Sequence, residues 1–318
     1  MRHDSVRHVG AAVGLGVLLL ASPGLAQHRE YYIVGRVLDP EKKPLPGVEV
    51  RLLDVSTSRS YHVTTDKKGA FKLAGLPHGV YEVTILKDGY TSRRDEWKFE
   101  TPQETMQRVE VPDVVLVSEA RVQEVQRLEA AESATREAAD KIRSGDLDGA
   151  IGLLQDVLGK NPRDANALFF LGLGYAGKKR YPEAVEALSQ VTEIAPRFPG
   201  AHFELGVCYR HLGELEKALA AYDRTLELDP ASADGAYNSG LILFETNRVD
   251  EALRRFQAGL ATKPDDPGLL EMAGRCYVNQ AKLDAAVEHF EKARAATQDP
   301  AKVETLDELI RLARASMK

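Results

Sequence analysis

From residue 150 onward the chain repeats itself every 34 residues. Proline stands at Pro162, Pro196, Pro230 and Pro264, and glycine at Gly172, Gly206, Gly240 and Gly274. Alanine stands at Ala150, Ala184, Ala218, Ala252 and Ala286, followed four residues on by Leu154, Leu188, Tyr222, Phe256 and Phe290. Three series at one interval require one structural unit used five times, because each position must meet the same neighbours in each unit. Each unit reads as two antiparallel helices. The small residues let helix axes approach, the large ones fill the space beside them, and proline closes the second helix.

The 34-residue period with these residue types resembles the tetratricopeptide repeat, over Ala131–Pro300 in five units: 131–164, 165–198, 199–232, 233–266 and 267–300. The first unit is degenerate, with Glu137 and Lys141 where the next has Leu171 and Tyr175. A C-terminal capping helix is expected within 301–318, with Leu306, Leu309, Ile310, Leu312 and Ala313 on one face. The resemblance implies a concave groove lined by the first helix of each unit. Its usual groove positions fall on Phe169, Leu173 and Ala176; Phe203, Val207 and Arg210; Tyr237, Leu241 and Phe244; and Glu271, Arg275 and Val278. The middle is apolar and aromatic, and Arg210 and Arg275 lie toward one end. Members of this family that clamp a C-terminal carboxylate carry Lys and Asn there, so that activity does not transfer. The expectation is a protein or peptide partner of apolar character. Two alternatives stay open: the chain's own 118–140 helix covers these residues, or they pack between repeats.

Residues 27–117 have a different period. Val48, Val50 and Leu52 alternate with Glu49 and Arg51, and Tyr81, Val83 and Ile85 with Glu82 and Thr84. Alternation of this kind marks half-buried strands. Turn signals at 44–47, 66–69, 77–79 and 88–89 divide about seven short strands, which predicts an all-β, antiparallel sandwich ahead of the all-α solenoid. The run GRVLDPEKKPLPGVEVRL (35–52), followed by TTDKKGAFKLAGLPHGVYEVTILKDGY (64–90), resembles the carboxypeptidase regulatory-like domain. That domain is not the peptidase of its family. The resemblance implies an extracytoplasmic accessory module, sometimes grouped with carbohydrate-binding sandwiches. Tyr31, Tyr32, Tyr61, Tyr90 and Trp97 could stack on sugar rings, which leaves glycan binding as the alternative function. The competing reading packs them in the core. Between the two parts a helical connector is expected over 118–133, with Ser118 as its N-cap.

The first 26 residues read as an export signal. Arg2 and Arg7 precede a 13-residue apolar run, Val9–Ala21, and Gly24-Leu25-Ala26 offers a cleavage site before Gln27. An uncleaved anchor is the alternative. No later segment is long and apolar enough to span a bilayer.

Chemistry finds little footing. The net charge is -6, shared as +1 over 1–26, 0 over 27–117 and -7 over 118–318, with no basic patch for nucleic acid. LGLGYAGKKR (171–180) matches G-x-G-x-x-G and most of a phosphate loop by letters. Its register puts Gly172 in the 34-residue series, so a helix runs through the glycines where a nucleotide site needs one to begin after them. None of the eight histidines forms H-E-x-x-H, and no C-x-x-C or G-x-S-x-G occurs. No catalytic, metal or cofactor site is expected. Cys208 and Cys276 hold equivalent places two units apart, beyond the ~7 Å a disulfide tolerates, so both are expected as free, buried thiols.

Overall fold

A computed structural model describes residues 30–100 and 106–317. The expected signal, 1–26, lies outside them. The chain divides into two compact units at Glu129/Ala130.

The first unit is a sandwich of two sheets. One holds β1 (Glu30–Leu38), β4 (Ala70–Leu76), β7 (Met106–Glu110) and β8 (Val114–Val115). The other runs β3 (Ser60–Thr64), β2 (Glu49–Asp54), β5 (Gly79–Leu86), β6 (Arg93–Phe99). The alternation predicted from sequence is the burial pattern: Val48, Val50, Tyr81, Val83 and Ile85 are wholly buried and Leu52 nearly so. With Ile33, Val37, Phe71 and Leu76 they form the core. Gly69 turns the chain into β4 at φ 69°, and a Cβ there would lie 2.5 Å from the Val37 carbonyl oxygen, so only glycine fits.

The described residues hold eight strands where about seven were expected, the eighth being the two-residue pairing of β8 with Val37 and Leu38. The expected all-antiparallel pairing needs correction. The first sheet is mixed, since β7 and β8 run parallel to β1. A parallel neighbour needs a long crossover, and strands β2 to β6 supply one that no local turn signal announces.

Helix α1 (Glu119–Ser144) is continuous. No Gly or Pro interrupts it, so the residues expected as a connector run directly into the first helix of the repeats. Arg121 N donates to Ser118 Oγ at its start. Ten more helices follow: α2 (Leu147–Lys160), α3 (Ala165–Gly177), α4 (Tyr181–Ile194), α5 (Pro199–His211), α6 (Leu215–Leu228), α7 (Ala233–Glu245), α8 (Val249–Thr262), α9 (Pro267–Asn279), α10 (Leu283–Ala296) and α11 (Pro300–Ala315). The first helices of successive pairs start at 165, 199, 233 and 267, and the second at 147, 181, 215, 249 and 283.

The contact behind that register is visible atom by atom. A Cβ on Gly172 would lie 2.6 Å from Leu188 Cγ. On Gly206 it would lie 2.6 Å from Tyr222 Cε1, and on Gly240 and Gly274 2.5 Å from Cε1 of Phe256 and Phe290. Each glycine of one helix thus receives the large residue of the next. Ala150, Ala184, Ala218, Ala252 and Ala286 are all wholly buried beside these contacts.

The joints repeat as well. Within each pair the linking turn carries one residue of positive φ: Gly145, Lys179, Gly213, Asn247 and Ala281, again 34 apart. The next backbone N–H bonds back five residues, as in Arg180 to Tyr175 and Lys282 to Tyr277 at 2.9 Å, the Schellman closure of a helix. Between pairs, Asp164, Ser232 and Asp266 cap the following helix with their side chains. At the C-terminal end α11 buries Leu306, Ile310 and Ala313, with Leu309 half-buried. Leu312, expected on the same face, is instead 49% exposed, because its place on the helix points away from α10.

Candidate functional site

The nine residues singled out for the groove sit on α3 (Phe169, Leu173), α5 (Phe203, Val207, Arg210), α7 (Tyr237, Leu241, Phe244) and α9 (Arg275). All nine are half-buried. That follows from their place on the first helix of each pair: one flank of each ring enters the seam between helices and the other stays open. Phe169 lies 4.9 Å from Phe198 and 5.6 Å from Phe170, centroid to centroid. Phe203 lies 5.6 Å from Tyr222, and Tyr237 6.2 Å from Phe256. Each of these contacts lies within one 34-residue unit, between its first and second helices or at its end, and each ring keeps a solvent-facing edge. Within the second unit, Ala131, Ala134, Ala138 and Ile142 of α1 pack with the α2 and α3 residues Ala150, Ile151, Leu154 and Ala167.

The charged groups of this surface are mostly answered within it. The Arg210 guanidinium crosses from α5 to α7, donating to Glu245 Oε1 at 2.8 Å and Asn238 Oδ1 at 3.4 Å. Arg275 pairs with Glu271 on the same helix at 2.8 Å, and Lys302 of α11 stands 3.8 Å from that carboxylate. Burial pushes the Tyr237 hydroxyl up, helped by the nearby Glu271 and Asp266 charges. Val278, at the far end, is exposed and Ala176 half-buried.

Asn238, Glu245 and Glu204 belong to this surface but escape the sequence reading. Glu204 follows Phe203 on α5 and is half-buried, and its carboxyl is pushed up by burial. The equivalent places in the other units hold Phe170, Asn238 and Met272. No residue type recurs there, so no series could point to it.

The cysteines are free and buried as expected, with both thiols pushed up to about 11, first by burial and then by Glu204 or Asp250. Thiols so disfavoured as thiolates are packing groups. Asp146 caps α2 and Asp148 pairs with Lys178, which accounts for that acidic pair. Among the described residues no three His, Cys, Asp or Glu side chains gather as a metal site, and no helix is long and apolar enough to cross a membrane.

In the sandwich the five aromatics considered for a sugar platform do not share a face. Tyr31 is buried, and Tyr61, Tyr90 and Trp97 pack against the same core. Tyr32 stands on the opposite side of β1 from Tyr31, across from Ala74 and Arg108. A shallow hollow on the second sheet is lined instead by Glu49, Arg51, Leu53, His62 and Glu82, among others.

Comparison with known proteins bears on both units. Residues 32–112 match the family model of the carboxypeptidase regulatory-like domain. Residues 135–199, 175–233 and 243–308 match tetratricopeptide repeat models. No curated protein matches the chain. Among solved structures, it is similar to a crystal structure of MamA at 27% identity and TM-score 0.49, over 52% of this chain and 96% of that one. It is also similar to YrrB, described as a TPR protein with an unusual peptide-binding site, at 21% identity and TM-score 0.49 over 59% and 95%. A third is TTC0263, a thermophilic TPR protein of Thermus thermophilus, at 22% and 0.44 over 57% and 99%.

Proposed function

We propose, for what is a tetratricopeptide repeat protein headed by a carboxypeptidase regulatory-like domain, that it works as an exported, non-catalytic scaffold. Its partner is a protein or peptide, held on the open edges of Phe169, Phe203, Tyr237 and Phe244. The observation that carries the reading is the row of half-buried aromatic and aliphatic side chains on α3, α5 and α7. Rings already fixed by packing on one side lose little freedom when the other side is covered, and they offer apolar area to a partner. The sandwich acts as an accessory module. Export is supported by the arginines, apolar run and small-residue site within 1–26.

Two experiments test the reading. Replacing Phe203 by Ala together with Tyr237 by Ser should cut capture of the partner from native extract by about tenfold or more, as removal of central aromatic anchors does. Unchanged capture by a variant of native helicity would refute the groove. For export, N-terminal sequencing of the protein isolated from its own cells should start at Gln27. A chain starting at Met1 would contradict cleavage there.

A further inference from the structure

One carboxylate on the proposed groove has no counterpart among the described residues. Arg210 is bound to Glu245 and Asn238, and Arg275 to Glu271. Glu204, between them and Phe169 along the repeats, has neither a hydrogen bond nor an ion pair among the described residues. It is shielded from water enough that its charged form is disfavoured.

The same region holds a second unmatched group. The Tyr222 side chain is wholly buried, and its hydroxyl has no hydrogen-bond partner. Its ring packs 5.6 Å from Phe203, the residue preceding Glu204, and over Gly206. The hydroxyl is close enough to Glu204 to be raised further by its charge, after burial itself and against the pull of Arg210. Polar groups withdrawn from water are ordinarily matched in native proteins, so a half-buried carboxylate with no partner on this surface is the mark of a missing one.

We infer that the groove, taken as a peptide site as above, receives an apolar segment carrying one Lys or Arg, whose cation pairs with Glu204 while its aliphatic stem lies against Phe203 and Val207. The sign follows from the chain: 118–318 carries -7, and the groove's own cations are already paired. A bare amine or metal ion would leave the aromatic edges uncovered, whereas a long basic side chain in an apolar segment covers them and delivers the charge. The inference rests on the groove reading.

The test uses the full chain and a set of fluorescent peptides of one apolar host sequence, differing only at a central Lys, Arg, Met, Gln or Glu. Anisotropy should show Lys and Arg peptides bound roughly tenfold more tightly than Met, and Glu most weakly, as a partly desolvated charge pair demands. In Glu204→Gln, which keeps shape and removes charge, the Lys and Arg advantage should vanish while the Met peptide binds as before. Peptides that bind in a Phe203-dependent way without preferring Lys or Arg overturn the inference and leave the groove reading standing. A preference that survives Glu204→Gln does the same. Binding indifferent to Phe203→Ser, or no binding by any peptide, removes the groove reading and this inference with it. Self-association abolished by Phe203→Ser assigns the groove to a second copy and overturns the inference.

Discussion

Ala281 sits at φ 56° in the turn between α9 and α10, where the turn between α5 and α6 has Gly213 at φ 77°. A side chain in that region crowds the next carbonyl, so Ala281→Gly should stabilise the protein by about 1 kcal/mol, read as a higher denaturation midpoint in far-UV circular dichroism. A lower midpoint would mean that the turn tolerates Ala without strain. Lys179 should respond like Ala281, and Asn247 less, since Asn bears positive φ more easily. In the sandwich the informative residue is Asp54. Its Oδ1 accepts from Ser56 Oγ at 2.7 Å, Ser56 N at 2.8 Å and Thr57 N at 3.0 Å. The Ser56 hydroxyl leads in holding its carboxyl down at about 2, against 3.8 ordinarily. A carboxylate depressed by folding stabilises the native state above its unfolded value and stops doing so as pH falls through the folded one. Asp54→Asn should therefore cost stability at neutral pH, and the gap to the native chain should close between pH 4 and pH 2. A gap that is constant across that range would exclude the charge as its source.

At the scale of helices and strands, the same substitution should change sign with its surroundings. Gly240→Ala places a methyl 2.5 Å from Phe256 Cε1 and should cost about 1–3 kcal/mol through overpacking. Gly152→Ala on α2 has nothing within 4 Å of the new methyl and should gain about 1 kcal/mol from helix propensity. Equal effects at the two sites would show that helix contact does not set the glycine series. This contrast also shows what the sequence could disclose. Gly172, Gly206, Gly240 and Gly274 were legible because one pairwise contact, repeated, stamps one residue type on one interval. The inward strand residues were legible because β geometry alternates sides. The parallel pairing of β7 with β1 was not, since the partners are about 76 residues apart, as in Glu30 and Met106, and neither carries a local mark. Glu204 was hidden for the opposite reason to the glycines: its neighbours in register, Phe170, Asn238 and Met272, share no chemistry with it, so no interval marks it. The groove residues were reached through a family resemblance, and how deeply each ring enters the seam depends on partners such as Phe198 and Tyr222 that only the packed structure supplies.

The whole molecule carries two sets of cores. One joins Tyr31 to Leu116, and the others all lie between Ala131 and Ala313. The chain has one tryptophan, Trp97, and it packs on the sandwich core at 6.5 Å from Phe99. Its fluorescence thus reports the first unit, and helical dichroism the second. Phe290→Ala, which empties a wholly buried site between α9 and α10, should lower the helical midpoint by the equivalent of about 3–5 kcal/mol and leave the Trp97 transition in place. A joint shift of both signals would show one cooperative unit. Within the repeats, the left-handed turn residue, the Schellman bond, the glycine and the large residue it receives all return at one interval. Removing or copying a single 34-residue period would therefore set each surviving helix against a neighbour of the shape it already fits. For a lineage carrying this gene, the length of the binding surface is an inheritable dial, turned by unequal recombination between repeats without any new joint having to be invented.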